Sequence, residues 1–506
     1  MHINATAAFW ARWTPDSVAL SSGAASVSRR ELYRRTGRTA AALSQRGIAV
    51  GDRVGILASN SLEWCEMALA VLHAGAVVVP LNVRLTAAEL GYMVNRAGCA
   101  AVAVDAGSAP RFAQAATSRG GCFTISLDDR AGADVSLGDL RAHDHAAEPA
   151  DVSADSPAII CFTSGTTGYP KGATLTHRGV LATAETYSRS EGWGRDTVGL
   201  CFGPLAFNGG ITNAFLGTFC VGGRLIIETF DPPAALRRIV ADRVTVLTGA
   251  PILYQSIAAL PEFAEADVSS VSTAVTGGAA ATPWLLKTWA GKGVRLRQSY
   301  GLTESTGPVT TVPPSHYLSK SDTIGLPLVN AALRVVDEAG TDVQPGQVGE
   351  IVVKGPQVMA GYWDDAEATR SAIRDGWLYT GDLGAFDQDG FLSIAGRRGD
   401  LIISGGLNVY PAEIERVVSA FAGVTGCVAF GVPHERWGET VALVVEGDID
   451  LGLLQQHTRT YLAGYKVPRY IGRAQQPLPR NGLGKVLRGV VRDGFDVATA
   501  VRTGAA

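Results

Sequence analysis

Lysine is scarce in this chain: the 44 basic residues include only seven lysines, at positions 171, 287, 292, 320, 354, 466 and 485. Arginine therefore carries nearly all the positive charge, and a lysine inside a motif stands out. Charge itself is thin, at 18% of residues where soluble proteins average about 25%. The 47 acidic residues leave a net charge of only −3, which argues against a basic face for nucleic acid. No apolar run approaches the roughly 18 residues of a membrane span. The best candidate, Val71 to Val79, is broken by His73 and Gly75. Seven cysteines (65, 99, 122, 161, 201, 220 and 427) form no Cys-x-x-Cys pair and have no histidine at metal-ligand spacing. Buried thiols are expected rather than a zinc site or a disulfide framework. The start, Met1-His2-Ile3-Asn4-Ala5, lacks the basic and apolar regions of a secretory signal, so a cytoplasmic protein is expected.

What is present is length and rhythm. The 506 residues allow two to four domains. Helical spacing over Glu31 to Gln45 and Leu62 to His73 alternates with short β-branched runs at Arg53 to Leu57 and Ala76 to Pro80. Apolar runs recur at Ala158 to Phe162, Leu225 to Glu228, Val244 to Leu247 and Val271 to Thr276, each ending in Gly, Pro, Thr or Ser. This predicts an α/β fold built on parallel sheets, with ligands at the strand ends. From about Ala332 short alternating runs separated by Asp-Gly and Pro-Gly turns predict a small antiparallel β region. After Arg397 the remaining chain, 398–506, reads as a separate small α+β domain.

The strongest local signal is Thr163-Ser164-Gly165-Thr166-Thr167-Gly168-Tyr169-Pro170-Lys171-Gly172, directly after an apolar strand. Glycines let backbone N–H groups turn inward around an anion, hydroxyls add donors, and the lysine adds a point charge. The segment suits phosphate, but it is not a Walker A loop, because Lys171 follows a proline and precedes a glycine.

These residues resemble the phosphate-binding signature of the adenylate-forming enzymes, the superfamily of acyl-CoA synthetases, peptide-synthetase adenylation domains and luciferases. Ser299-Tyr300-Gly301-Leu302-Thr303-Glu304 is similar to the family's adenine motif, and Tyr379-Thr380-Gly381-Asp382 to its ribose motif. Gly396-Arg397 through Pro411 resembles its hinge, and Pro479-Arg480-Asn481-Gly482-Leu483-Gly484-Lys485 its catalytic-lysine loop. Five ordered motifs cover most of the chain. The resemblance implies a domain at 1–397 that binds ATP and the acid, and a C-terminal domain, 398–506, that rotates about a hinge near Gly399.

The roles it implies are chemically sensible. Thr163 to Thr167 and Lys171 would hold phosphates, and Glu304, beside Thr303, would hold Mg²⁺, a hard cation that wants oxygen ligands. Lys485 would neutralise charge as the acyl-adenylate forms. Tyr300 offers a face for adenine, with Ser299, Gly301 and the Gly277-Gly278-Ala279 backbone around it. Asp382 and Arg397 would bind the ribose, although a purely structural ion pair between them would read the same. Gly405 and Gly406 would line a channel for the pantetheine arm of coenzyme A, with Trp437, Tyr465 and Lys466 at its mouth; simple packing of Trp437 stays open. An acyl pocket is expected around Phe207, Gly209, Thr276-Gly277-Gly278 and Ser305 to Gly307.

Three positions depart from the family pattern. Gly399 replaces the usual hinge Asp or Lys, Leu407 replaces a polar residue after the Gly-Gly pair, and Phe207 stands where many relatives carry His. An apolar gate favours a hydrophobic acid. The reading implied is an ATP- and Mg²⁺-dependent acyl-CoA ligase for a fatty, aryl or alicyclic acid. Alternatives are a protein confined to the thioester-forming half, fed by a partner's acyl-adenylate, and an adenylation protein that loads a carrier protein. More remote are a luciferase-like oxygenase and a non-catalytic nucleotide-binding module.

Overall fold

Apolar runs without alternation become interior strands of parallel sheets, where both faces are covered. Arg53–Leu57 lies parallel between Val77–Leu81 and Cys99–Val104, and Val54 and Ile56 are fully buried. The computed structural model describes residues 2–115, 122–130, 132–163, 170–404, 407–481 and 484–502. Among these residues the three strands belong to an eight-stranded sheet that continues through Pro157–Thr163, Lys171–Thr176 and Gly361–Tyr362 on one side. A second, nine-stranded sheet runs parallel from Leu296–Gly301 through Thr273–Thr276, Val246–Gly249, Val198–Cys201 and Arg224–Ile227 to Val18–Ser22.

The helix Leu62–His73 shows why these sheets pack together. Ser61 caps it by accepting from the Trp64 N–H, and every residue from Trp64 to His73 is buried. A largely apolar helix whose one buried acid, Glu66, is paired with Arg141 at 2.7 Å needs cover on all sides. It touches Arg53–Leu57 and Val77–Leu81 of one sheet and Val18–Ser22 of the other. One apolar core accordingly joins Ile56, Val78 and Ala103 to Leu20, Leu225 and Ile227. Five of the seven cysteines are buried, as expected.

The antiparallel region predicted after Ala332 is a five-stranded sheet of Ala332–Val336, Gly349–Lys354, Trp377–Phe386, Ile373–Arg374 and Leu392–Arg397. Past it, the chain builds a sheet around Val424–His434 and Gly438–Gly447, flanked by the helices Pro411–Ser419 and Leu451–Tyr461. Ile402, Val409, Ile414, Val418, Leu443 and Leu454 form a core of their own there. No helix among the described residues is long and apolar enough to cross a membrane.

Ile211, Ala214 and Phe215 have the apolar spacing of an ordinary helix, yet the structure makes residues 209–217 a nine-residue π-helix, Gly209–Gly217. Gly210 permits it: a β-carbon there would lie 2.1 Å from the carbonyl oxygen of Pro204. Widened helical turns of this kind concentrate at functional sites.

Candidate active site

The motif residues fall on strand ends and on the first turns that follow them. Thr163 ends one strand and Lys171 starts the next, paired across an antiparallel ladder. Ser164, Gly165, Thr166 and Thr167 lie outside the described residues, as do Gly405 and Gly406 of the expected pantetheine channel. Glu304 sits on the single 3₁₀ turn Thr303–Ser305, which follows the strand Leu296–Gly301. Its Oε1 accepts from Thr163 Oγ1 at 3.3 Å and from Tyr362 Oη at 2.9 Å. The phosphate and adenine motifs, 141 residues apart at this contact, thus share one carboxylate. Among the described residues no three His, Cys, Asp or Glu side chains gather as a metal cage. The donors around Glu304 are all oxygens, which fits a Mg²⁺ that takes most of its ligands from phosphate and water.

The ribose motif is held more firmly. Asp382 is 5% exposed and stands opposite Arg397 in the antiparallel pair Trp377–Phe386 and Leu392–Arg397. Its Oδ1 accepts from Arg397 Nε at 2.8 Å, and its Oδ2 accepts from Tyr300 Oη at 2.7 Å. Burial first, and then the Asp382 charge, raises the Tyr300 phenol well above its ordinary range, so it stays a donor. The structural pairing and the ribose role are compatible, because each carboxylate oxygen keeps a lone pair and only Nε of Arg397 is committed to Asp382.

Ser299 Oγ donates to the Thr276 carbonyl at 3.3 Å, and a β-carbon on Gly277 would meet Ser299 Oγ at 3.0 Å. Gly277, Ser299, Tyr300 and Gly301 therefore adjoin, with Gly278 (φ +81°) and exposed Ala279 leading away. A β-carbon on Gly301 would come within 2.4 Å of the Gly307 carbonyl oxygen. The next residue before that, Thr306, is fully buried at φ +59°, a costly setting for a β-branched side chain. Its carbonyl accepts from Asn208 Nδ2 at 2.9 Å and Thr212 Oγ1 at 2.7 Å, and its own hydroxyl donates to the Gln357 carbonyl at 2.6 Å. The π-helix is thereby tied to the adenine motif. Phe207 is half-buried at its entrance and Gly209 is exposed, with nothing within 4 Å of where a β-carbon would be.

Lys485 comes from the other end of the chain. A short loop closes on itself around it: Asn481 N donates to the Lys485 carbonyl at 2.8 Å, and Lys485 N donates to Asn481 Oδ1 at 3.0 Å. Gly484 at φ +78° lies so close to the helix Pro251–Ala258 that a β-carbon would be 2.3 Å from Ile252 Cγ2. Lys485 keeps contact with solvent, yet crowding by protein atoms, followed by the Arg397 cation, holds its ammonium below the ordinary 10.5 despite opposing attraction from Asp382. It therefore feels the charges of the Asp382–Arg397 pair.

Gly399 stands between two sets of ties. Before it, Arg397 holds Asp382, and Arg398 lies 3.6 Å from Glu350. After it, Arg488 holds Asp400 and also bonds Glu415 at 2.7 Å. A β-carbon at Gly399 itself would meet nothing within 4 Å.

Trp437 is stacked on His434 with ring centres 4.3 Å apart, and the Arg469 guanidinium lies 3.6 Å from the centre of its ring. Lys466 is paired with Glu413 at 2.7 Å, and Tyr465 is 42% exposed beside it. Among the described residues none of these three bonds to Asp382, Arg397 or Lys485. Motif reading passed over Tyr362, Asn208, Thr212 and Arg488; the signal for the first was an aromatic pair, Tyr362-Trp363, directly after Gly361.

Residues 8–363 match the family model of the AMP-binding enzyme, and residues 413–485 match that of the AMP-binding enzyme C-terminal domain. The chain is 37% identical over 492 residues to a feruloyl-CoA synthase from an Amycolatopsis species, covering 96% of this chain and 97% of that one. It is 35% identical over 463 residues to a long-chain-fatty-acid–CoA ligase of Mycobacterium tuberculosis, covering 90% and 91%. The fold superposes on the crystal structure of ATP-bound MatB from Rhodopseudomonas palustris with a TM-score of 0.86 at 33% identity, covering 97% of this chain and 99% of that one. With both family models matched and relatives aligned along nearly its whole length, the chain belongs to the AMP-binding enzymes of the adenylate-forming superfamily.

Proposed function

We propose that this enzyme is an ATP-dependent acid–thiol ligase that activates a hydrophobic carboxylic acid as its acyl-adenylate and transfers the acyl group to coenzyme A. The observation that carries the reading is Lys485, delivered from the C-terminal region of the chain into the field of Asp382 and Arg397. In the first step a carboxylate oxygen attacks the α-phosphorus of ATP, the α–β phosphoanhydride bond breaks, and pyrophosphate leaves. Lys485 would neutralise charge gathering on the carboxylate and α-phosphate, where a preset cation is worth most. Asp382 and Arg397 would anchor the ribose through their remaining lone pairs and N–H groups. Tyr300 would flank the adenine from a position fixed by its bond to Asp382. Lys171 and the Thr163 to Thr167 loop would bind the phosphates, with Mg²⁺ at Glu304 supplying charge neutralisation there.

In the second step the coenzyme A sulfur attacks the acyl carbonyl, and AMP leaves. For that we place the pivot at Gly399, between an N-terminal domain of residues 1–397 and a mobile C-terminal domain of residues 398–506. Ties to Asp382 and Glu350 on one side and to Arg488 on the other leave the glycine as the free joint. Trp437, Tyr465 and Lys466 would then meet the nucleotide end of coenzyme A, and Gly405-Gly406 the pantetheine. Half-buried Phe207 at the mouth of the π-helix supports an apolar acid, the class to which the feruloyl and long-chain names of its relatives also point.

The test separates the half-reactions: pyrophosphate release from ATP with a panel of fatty, aryl and alicyclic acids, beside acyl-CoA formation from pre-made acyl-adenylates. Activity in both is expected. Thioester formation with no pyrophosphate release across the panel would refute the complete ligase.

A further inference from the structure

Glu304 and Lys171 bear opposite charges and approach the proposed phosphate site from a 3₁₀ turn and from the start of a strand, yet they form no ion pair with each other. Tyr362 stands between them. Its hydroxyl donates to Glu304 Oε1 at 2.9 Å, while the Lys171 ammonium lies 5.4 Å from the centre of its ring. The backbone leaves the ring little freedom. Tyr362 is in register with Ala173 on the strand that Lys171 opens, and Trp363 N donates to the Gly172 carbonyl at 2.7 Å. On the other side, Met359 N donates to the Glu304 carbonyl at 2.8 Å. The segment that carries Tyr362 therefore stitches the turn bearing Glu304 to the strand bearing Lys171.

Chemistry gives the arrangement a purpose. A Lys171–Glu304 salt bridge would have to break each time nucleotide entered, consuming binding energy that should go to the phosphates. An aromatic face attracts an ammonium without neutralising it. A phenol that donates to a carboxylate orients it without cancelling its charge. Thr163 donates to the same oxygen at 3.3 Å. Both donors thus take Oε1 and, among the described residues, leave Oε2 to face a cation.

We propose that Tyr362 is a positioning residue that holds Glu304 by its hydroxyl and Lys171 by its ring, keeping the two charges apart and ready for the phosphates of magnesium-bound ATP. The proposal rests on the nucleotide reading above. The test is equilibrium binding by calorimetry, which needs no turnover, using ATP with Mg²⁺, ATP with a chelator, and AMP. Tyr362→Phe keeps the ring and loses the donor; affinity for Mg·ATP is expected to fall about tenfold while AMP binding stays within about twofold. Tyr362→Leu also releases Lys171, so metal-free ATP should weaken as well. Mg·ATP affinity unchanged in Tyr362→Phe, or AMP affinity falling equally, would overturn the proposal. Should Tyr362→Phe fail to fold, Thr163→Val removes the other donor to Oε1 and is expected to weaken Mg·ATP selectively; no change there is equally fatal. Wild-type protein that binds no Mg·ATP would overturn the nucleotide reading itself.

Discussion

Tyr300 donates its hydroxyl to Asp382 Oδ2 at 2.7 Å, so the residue expected to flank adenine also orients the residue expected to bind ribose. The two lie 82 positions apart, on different sheets, and the bond joins the two halves of the proposed nucleoside site. A hydrogen bond to a charged partner contributes about 1.5–3 kcal/mol, and its loss leaves Asp382 buried with one partner fewer. Tyr300→Phe is therefore expected to weaken AMP binding by roughly ten- to a hundredfold while preserving ring stacking. Titration calorimetry decides; unchanged affinity would show that the pair serves folding alone.

Lys485→Ala should separate the half-reactions. Pyrophosphate release is expected to fall by at least about a hundredfold, the scale of losing one preset charge stabiliser. Acyl-CoA formation from a pre-made adenylate should change little if, as proposed, this ammonium serves only the first step. Equal loss in both assays would point to damage in folding or docking instead.

The same lysine predicts a pH signature. Crowding and Arg397 lower its proton affinity, so the folded protein loses that proton below 10.5 while the unfolded chain keeps it to about that value. Adenylation, for which the charged form of Lys485 is proposed, should decline on an alkaline limb beneath the ordinary lysine range. Stability follows the opposite sign: between the two values the unfolded state binds more protons, so this group's destabilising contribution, full below its folded pKa, fades as pH rises through that window. A pH profile of kcat/KM for pyrophosphate release tests the limb; one at or above 10.5 contradicts the placement.

Gly484 offers a steric test of docking. An alanine there must adopt φ +78°, at a cost of about 1–2 kcal/mol, and its β-carbon would press on Ile252 at 2.3 Å. Gly484→Ala is expected to suppress adenylation with little effect on thioester formation. Adding Ile252→Ala removes the obstructing methyl and should restore some of the first activity. Absence of any rescue would mean that the strain, and not the contact between the two regions of the chain, causes the loss.

The parallel strands and the motifs at their ends were legible because apolar runs with Gly, Thr or Ser at their ends carry both pieces of information together. Val246–Gly249 and Thr273–Thr276 start two residues later than their apolar runs, since Val244 and Val271 are buried before the ladder begins. Less legible was whatever depends on a partner far along the chain. Nothing local marks Tyr362 as the partner of Glu304, 58 residues away, or Arg488 as that of Asp400, 88 away. The π-helix was hidden for a different reason: its widened turn is set by Gly210 meeting the Pro204 carbonyl and by Asn208 and Thr212 reaching Thr306, none of which alters the apolar period of Ile211, Ala214 and Phe215.

Arg488 gives a test of how the C-terminal region is held rigid on its side of Gly399. Its guanidinium bonds Glu415 at 2.7 Å, pairs with Asp400, and donates to the Ala429 carbonyl at 2.9 Å. Burial raises Glu415 above the usual carboxylate range even with that arginine beside it. Arg488→Met leaves the mostly covered carboxylate without a cation; breaking a fully buried pair from one side costs about 3–5 kcal/mol, and the partial exposure of this one sets the loss below that. The C-terminal region should therefore unfold at markedly lower temperature, and the deficit should deepen as pH rises through the carboxylate range, because the folded state then holds an uncompensated charge. Glu415→Gln in the same chain removes that charge and should recover much of the stability. It should not restore the tie to Asp400, so the double variant separates two effects. Thermal unfolding reports the charge balance, and the ratio of acyl-CoA formed to pyrophosphate released reports whether a loosened Asp400 lets the region carrying Lys485 drift during the first step. A double variant that is stable and keeps the wild-type ratio would show that Arg488 supports the C-terminal region without bracing the proposed pivot.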